Sequence, residues 1–255
     1  MTYWDSIILG VVEGLTEFLP VSSTGHLILV SHLLGLPQTE VLKSFEIAIQ
    51  LGSILAVVVL FWRSFLDIEV LKRLLVAFIP TGAIGFVLYK FIKDSLIGNP
   101  MVVVWALLLG GIAIIAIEYL HRKTETAEGD VRDITYLQSF LVGLAQALAV
   151  IPGVSRSGAT VMGGLLLGIP RSAILTFSFL LAVPTMLMAT AYDIYKTPEA
   201  LADGNFSLLA IGFAVAFVTA LAVIKCALSF IRKHSFAPFG WYRIILAGLF
   251  FFFIL

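Results

Sequence analysis

The sequence predicts an all-α integral membrane protein with six transmembrane helices and two re-entrant helical hairpins in an inverted-topology repeat. Composition is the first observation, because 60% of the 255 residues are hydrophobic and 13% are charged. Soluble domains have about 45–50% apolar and about 25% charged residues. The other observations are apolar stretches of membrane-spanning length and two segments that interrupt their own hydrophobicity in the same way. The net charge of zero gives no indication of nucleic-acid binding.

Six stretches are long and apolar enough to cross a bilayer, for which about 20 residues are needed. We predict these spans at about 45–62, 74–91, 101–120, 173–192, 208–226 and 239–255. They form two groups of three, and each group follows one of the interrupted segments.

The two interrupted segments, Gly10–Pro37 and Gly143–Pro170, align without a gap at an offset of 133 residues. Each contains Pro, Gly and hydroxyl residues near its middle, where a helix breaks and frees backbone groups that hydrocarbon does not solvate. We therefore predict re-entrant hairpins over 5–36 and 138–169. The alternative is one full, kinked span for each segment.

The repeat unit is one hairpin followed by three spans, within a single membrane domain over 1–255. The first repeat covers about 5–120 and the second about 138–255, joined by a charged cytoplasmic linker at 121–133. Because three is an odd number of spans, the second copy is inverted, and one hairpin enters from each side of the membrane.

Loop charges predict the orientation. With the N-terminus outside, eleven Lys and Arg residues fall on the cytoplasmic side and four on the other, which is a positive-inside bias. The eleven are Arg63, Lys72, Arg73, Arg122, Lys123, Arg132, Arg171, Lys225, Arg232, Lys233 and Arg243. The four are Lys43, Lys90, Lys93 and Lys196. Both termini are therefore expected on the extracytoplasmic side.

Glu13 and Glu17 lie four residues apart and share one face of a helix in the first hairpin. A charged side chain at the membrane centre costs about 2.5–3.5 kcal/mol on insertion scales, so the pair needs a cation, a proton or a wet cavity. Oxygen ligands suit Mg²⁺ or Ca²⁺, so both carboxylates are candidate ligands of such a divalent cation. The alternative is a shallow hairpin whose carboxylates face water.

The run Pro20–His26 (PVSSTGH) places three hydroxyls close in sequence to an imidazole. A Ser becomes a useful nucleophile when a neighbouring base takes its proton, and His is suited to this near neutral pH. We predict Ser23 and His26 as catalytic residues and Ser22 and Thr24 as substrate-binding residues, with the nucleophile left open among these four. Free N–H groups at the start of the next half-helix also suit an anion. The alternative is a capped helix start with a hydrogen-bonded His.

The run Pro152–Thr160 (PGVSRSGAT) places Arg156 among hydroxyl residues at the matching break. Arg binds phosphate oxygens bidentately, and Arg156 is the only Lys or Arg that we place inside the membrane zone. The other predicted substrate-binding residues of this half are Ser155, Ser157, Thr160 and Gln146. The alternative is an Arg that extends to the membrane interface.

Together the two breaks supply carboxylates, hydroxyls, a His and an Arg. A cation or proton site, a nucleophile, a base and a cationic clamp describe phosphoryl transfer better than amide hydrolysis. A transporter or flippase of a lipid phosphate is the alternative, because inverted repeats with broken helices are also typical of transporters.

At these motifs the chain resembles the undecaprenyl-diphosphate phosphatase family of the bacitracin-resistance type. The matching stretches are Glu13–Glu17 (EGLTE), Pro20–His26 and Pro152–Thr160, and the similarity extends over essentially the whole chain. The resemblance implies hydrolysis of undecaprenyl diphosphate to undecaprenyl phosphate and phosphate, with a divalent cation. It also implies a bacterial cytoplasmic membrane protein that recycles the lipid carrier for peptidoglycan synthesis and confers bacitracin resistance.

For this reaction we expect Ser23 to attack the terminal phosphorus, with His26 near it as base or acid. Glu13 and Glu17 hold the cation, or Glu17 assists proton transfer, and Arg156 neutralises the phosphate oxygens. The expected partner is a polyprenyl diphosphate lipid whose headgroup enters a cavity on the extracytoplasmic side. A second copy of the chain, in a homodimer, is kept as a candidate partner.

Overall fold

The computed structural model describes residues 1–91, 96, 99–120, 129–196, 206–231 and 234–254. Within these residues there are ten α-helices and no β-strand. The helices are α1 Tyr3–Thr16, α2 Ser23–Leu33, α3 Glu40–Leu60, α4 Ile68–Phe91, α5 Pro100–Leu120, α6 Tyr136–Ala147, α7 Arg156–Leu166, α8 Arg171–Lys196, α9 Phe206–Ile231 and α10 Ala237–Ile254. The predicted all-α fold class is confirmed for this part of the chain.

Five of these helices, α3, α4, α5, α8 and α9, are long and apolar enough to cross a membrane, and they correspond to the first five predicted spans. α10 corresponds to the sixth and is apolar but shorter. Many large hydrophobic side chains on the helices are exposed, as expected where the surrounding solvent is lipid. The helices are those of an integral membrane protein.

Some of the predicted features lie outside the described residues. They are residues 121–128 of the linker, residue 255 of the last span, and five of the charges used for the orientation: Lys93, Arg122, Lys123, Arg232 and Lys233. The side chain of Lys90 is also outside the described part.

Both interrupted segments form a helix, a break and a second helix. The breaks lie at 17–22, between α1 and α2, and at 148–155, between α6 and α7. The last residues of the breaks, Ser22 and Ser155, have φ angles of 71° and 72°, a left-handed conformation that residues other than Gly rarely adopt. Each Ser caps the helix that follows by accepting a backbone N–H three residues later. The two breaks therefore share one local geometry, as the sequence alignment predicts.

Each hairpin packs against the opposite half of the chain. The main neighbour of α1 is α9, and the main neighbour of α6 is α4. A Cβ atom at Gly10 would lie 2.6 Å from the carbonyl oxygen of Gly212, so α1 and α9 approach closely. A Cβ atom at Gly143 would collide with the carbonyl oxygen of Ala77 in the same way. This reciprocal packing brings the two breaks together between the halves.

The first break packs against α8. This helix is the most buried of the five long helices. Phe18 lies edge-on to Phe179 of α8, with ring centroids 5.3 Å apart. Both rings are fully buried in the main hydrophobic core. The contact fixes the backbone next to Glu17 and so positions that carboxylate.

Candidate active site

A cavity of about 160 Å³ lies between the two helix breaks. Its lining comes from both breaks and from α3 and α8: Glu17, Ser22, Ser23, Thr24, Gln50, Ala149, Ile151, Pro152, Gly153, Ser155, Arg156 and Met186. The lining combines ionic and hydroxyl groups with an apolar wall, as in sites that bind and orient a small group.

Ser23 and Glu17 face each other across the first break. The Ser23 hydroxyl donates a 2.6 Å hydrogen bond to Oε2 of Glu17, and both side chains are buried. Ser23 is the first residue of α2, while Glu17 caps the end of α1, so the chain reversal at the break creates this contact. The carboxylate is in place to accept the hydroxyl proton.

Arg156 joins the second break to the first. Its Nη2 donates to Oε1 of Glu17 at 3.0 Å, and its Nη1 donates to the carbonyl oxygen of Ser178 on α8 at 2.9 Å. Within the described residues, Nε of Arg156 is buried without a hydrogen-bond partner. The guanidinium therefore holds Glu17 and retains donor capacity for a phosphate oxygen.

His26 lies next to the break but its ring is bound elsewhere. Nδ1 lies 2.7 Å from the carbonyl oxygen of Ser22, and Nε2 lies 2.6 Å from the hydroxyl of Tyr242. Because a carbonyl oxygen only accepts, Nδ1 carries a proton and donates it to Ser22, while Nε2 is hydrogen-bonded to Tyr242. The structure therefore places Glu17, rather than His26, against Ser23, and the acid–base role of His26 stays a prediction.

The other predicted hydroxyl residues of the breaks lie at the two helix starts. Thr24 lines the cavity and is exposed, while Ser22 and Ser155 line it as helix caps. Ser157 donates to the carbonyl oxygen of Leu19 at 2.7 Å and so ties the second helix start to the first break. Two helix N-termini thus converge on one cavity, and their N–H groups and dipoles favour an anion there.

Gln146 and Thr160 lie behind the cavity rather than in its lining. Nε2 of Gln146 donates to the hydroxyls of Thr81 at 3.1 Å and Thr185 at 3.2 Å. The Thr160 hydroxyl lies 3.3 Å from Oε1 of Gln146 and donates to the carbonyl oxygen of Arg156 at 2.7 Å. These bonds hold α6 and α7 against α4 and α8, and the substrate-binding role of both residues stays a prediction.

The model of one protein family, described as bacitracin resistance protein BacA, matches residues 6–249 of this chain. The chain belongs to the BacA family. The family resemblance predicted from the hairpin motifs is therefore confirmed, and it spans both breaks and the cavity between them.

Curated relatives of this BacA family member carry the name undecaprenyl-diphosphatase. The relative from Sulfurihydrogenibium sp. is 55% identical over 251 residues, covering 98% of this chain and 99% of the relative. The one from Wolinella succinogenes is 53% identical over 255 residues, covering 100% and 99%. The one from Aquifex aeolicus is 52% identical over 247 residues, covering 96% of each chain.

The carboxylates of the first hairpin, Glu13 and Glu17, provide the oxygen ligands that a hard divalent cation prefers. Glu13 is 0% exposed, and neither of its carboxylate oxygens has a hydrogen-bond partner within the described residues. Its charged neighbours include Glu17, Glu46 and Arg156. Because Arg156 is already paired with Glu17, the Glu13 carboxyl is the buried group that still needs a proton or a cation. Among the described residues no group of three or more Asp, Glu, His or Cys forms a metal cage. Mg²⁺, however, is commonly held by one or two carboxylates together with waters and substrate phosphate.

Sequence reasoning missed Arg243 and placed it in a cytoplasmic loop. The structure instead buries it to 1% exposure in α10, against the carbonyl oxygens of both breaks. Arg243 therefore lies against the same breaks as Arg156 rather than in a charged loop, while the depth of both residues in the membrane stays a prediction. The available signal was a single charged residue inside the apolar helix Ala237–Ile254.

Proposed function

We propose that this BacA family protein is an integral membrane phosphatase that hydrolyses undecaprenyl diphosphate to undecaprenyl phosphate and phosphate. This reaction recycles the lipid carrier for peptidoglycan synthesis and accounts for bacitracin resistance. The observation that carries the proposal is the meeting of Ser23, Glu17 and Arg156 in one cavity. The substrate is supported by relatives of that name that cover nearly the whole chain.

The first step is attack by Oγ of Ser23 on the terminal phosphorus. A Ser–O–P bond forms while the bond from that phosphorus to the bridging oxygen breaks. The hydroxyl proton passes to the carboxylate of Glu17 and then to the bridging oxygen of the departing undecaprenyl phosphate. The 2.6 Å contact between the hydroxyl and the carboxylate is what makes this transfer direct.

The second step is hydrolysis of the phosphoserine. Glu17, again a carboxylate, takes one proton from a water molecule as the water oxygen attacks the phosphorus. The P–O bond to Ser23 breaks, and Glu17 returns the proton to the Ser oxygen, which regenerates the hydroxyl and releases inorganic phosphate. One carboxylate thus serves both steps, as general base and then as general acid.

Arg156 and the two helix starts provide the charge stabilisation that phosphoryl transfer requires. Arg156 and the first residues of α2 line the cavity, where equatorial oxygens of the phosphate would lie. Glu13 and Glu17 would hold a divalent cation, which when bound would neutralise further negative charge on the diphosphate.

The membrane arrangement that we propose has six spans and two re-entrant hairpins, with both termini extracytoplasmic. The matching breaks and the reciprocal packing of α1 on α9 and of α6 on α4 support an inverted repeat of about 5–120 and 138–255. In this arrangement the protein lies in the bacterial cytoplasmic membrane and its cavity opens to the extracytoplasmic side. The long apolar tail of the substrate stays in lipid while the diphosphate enters the cavity.

Phosphate release by the purified protein tests the proposed function. With undecaprenyl diphosphate and Mg²⁺ or Ca²⁺ in detergent, we expect inorganic phosphate and undecaprenyl phosphate in equal amounts. The variant Glu118→Gln is the background control, because Glu118 lies outside the cavity lining. If the protein released no phosphate but moved lipid phosphate across liposome membranes, the phosphatase proposal would be wrong and a flippase would be indicated.

A further inference from the structure

Arg243 of α10 uses its whole guanidinium group to bind backbone carbonyl oxygens. Nη1 donates to Val154 at 2.9 Å and Pro20 at 3.3 Å; Nη2 donates to Ala106 at 2.8 Å and Gly153 at 3.0 Å; Nε donates to Leu107 at 3.3 Å. A guanidinium has five N–H donors, so this set uses all of them. The side chain therefore has no donor left for a substrate.

Three of these five acceptors belong to the helix breaks. Pro20 lies in the first break, and Gly153 and Val154 lie in the second. Breaks free carbonyl groups that would be helix-bonded in a continuous span, and hydrocarbon does not solvate them. One guanidinium therefore satisfies backbone groups of both hairpins at once and links them through a single rigid, planar side chain.

The room for this side chain comes from Gly110 on α5. A Cβ atom at Gly110 would collide with the guanidinium of Arg243. The next residue, Gly111, lets α10 approach α5, since a Cβ there would lie 2.7 Å from the carbonyl oxygen of Gly240. Gly110 and Gly111 thus provide the space that Arg243 and α10 need on α5.

We propose that Arg243 is a positioning residue that sets the distance between the two hairpin breaks. Ser23 and Glu17 sit on the first break, and Arg156 sits on the second, so the geometry of the site depends on that distance. The inference rests on the proposed function, in which all three groups act on one phosphate. A misplacement of about 1 Å costs on the order of 100-fold in rate.

Arg171 provides a matched comparison for Arg243. It is a partly buried arginine of the same membrane domain, but its guanidinium binds the carboxylate of Glu118 at 2.6 Å and 2.7 Å and lies outside the cavity lining. Loss of either arginine removes buried hydrogen bonds and lowers stability. Only the loss of Arg243 should change the distance between the two helix breaks.

Kinetics and distance measurements on purified variants test this role. For Arg243→Lys and Arg243→Met we expect kcat to fall at least about tenfold, with KM changed less than about threefold, because a 1 Å shift affects chemistry more than binding. Gly110→Ala displaces the guanidinium without removing it and should act in the same direction. Arg171→Lys should lower thermal stability but leave the kcat of the folded protein near that of the wild type.

Spin labels at Leu15→Cys, just before the first break, and at Leu148→Cys, the first residue of the second, provide a readout independent of activity, since both positions are exposed. They are placed in a Cys226→Ser background, since Cys226 is the only cysteine of the chain. We expect a narrow distance distribution that broadens with Arg243→Lys and stays narrow with Arg171→Lys. Equal distributions and equal kcat for the two Lys variants would overturn the inference. A wild type without phosphate release would instead refute the proposed function, whatever the distances show.

Discussion

The Ser23 hydroxyl donates a 2.6 Å hydrogen bond to Glu17, and the other oxygen of the same carboxylate accepts from Arg156 at 3.0 Å. A single carboxylate thus joins the nucleophile of the first hairpin to the cation of the second. The Ser23–Glu17 contact lies within the first hairpin, whereas the Glu17–Arg156 bond requires the two hairpins to dock, so the site is complete only when both are packed together.

Loss of the Glu17 charge should abolish most of the activity. For Glu17→Gln we expect kcat to fall by about 10²–10⁴-fold, the usual contribution of a general base. Glu118→Gln is a close control, because the Glu17–Arg156 and Glu118–Arg171 pairs have the same side-chain exposure, 4% for Glu and 11% for Arg. The measurement is phosphate release per folded protein, and equal rates for the two variants would remove Glu17 from the proton transfer.

Arg156→Lys tests whether the guanidinium acts through its fork of donors. Lys keeps the charge but does not reach Glu17, the carbonyl oxygen of Ser178 and a phosphate oxygen together. We expect kcat/KM to fall by about 10²–10³-fold, the usual cost of removing one hydrogen-bond donor to the transition state. Arg171→Lys serves as the control, and full activity of Arg156→Lys would argue against a bidentate clamp.

Glu13→Gln should weaken the binding of the divalent cation without displacing Ser23 from Glu17. Glu13 has no hydrogen-bond partner within the described residues, so the substitution breaks no bond there. We expect the Mg²⁺ concentration for half-maximal activity to rise about tenfold, and Mn²⁺ binding followed by electron paramagnetic resonance to weaken in parallel. Unchanged Mn²⁺ binding in Glu13→Gln would exclude Glu13 as a ligand.

Gly143→Ala tests the close packing of the second hairpin. The added Cβ would collide with the backbone of α4 at Ala77, and overpacking of this kind costs about 1–3 kcal/mol. We expect a lower thermal midpoint in detergent. Gly248→Ala is the control, because no atom lies within 4 Å of its added Cβ and Ala favours a helix. A Gly143→Ala protein as stable as the control would contradict the proposed α4–α6 packing.

The helix breaks were predictable from the sequence because their causes are local. Pro20 and Pro152 are incompatible with a continuous helix, and Ser22 and Ser155 are of a residue type that commonly caps the start of a helix. The repeat then adds a second, independent indication, since the same pattern occurs twice. The membrane-spanning helices were predictable as well, because a helix that crosses a bilayer needs about 20 consecutive apolar residues and such stretches are visible in the sequence.

The contacts within the site were less predictable because they depend on docking. Closeness in sequence suggested His26 as the partner of Ser23, yet a residue four positions after Ser22 in a helix faces that residue's carbonyl oxygen instead. Arg243 lies 223 residues from Pro20, and no local pattern indicates that they meet. Counting loop charges assigned Arg243 to the cytoplasmic surface, although its hydrogen bonds connect the two helix breaks.

The most direct test of the central claim is the rate of phosphate release from undecaprenyl diphosphate by purified Ser23→Ala, compared with Ser6→Ala. Ser6 is also buried and hydrogen-bonded but lies outside the cavity lining, so its loss reports only the cost of removing a buried hydroxyl. If Ser23 is the nucleophile, the Ser23→Ala rate falls at least about 10³-fold while Ser6→Ala stays near the wild type. Near wild-type phosphate release by folded Ser23→Ala would contradict the account.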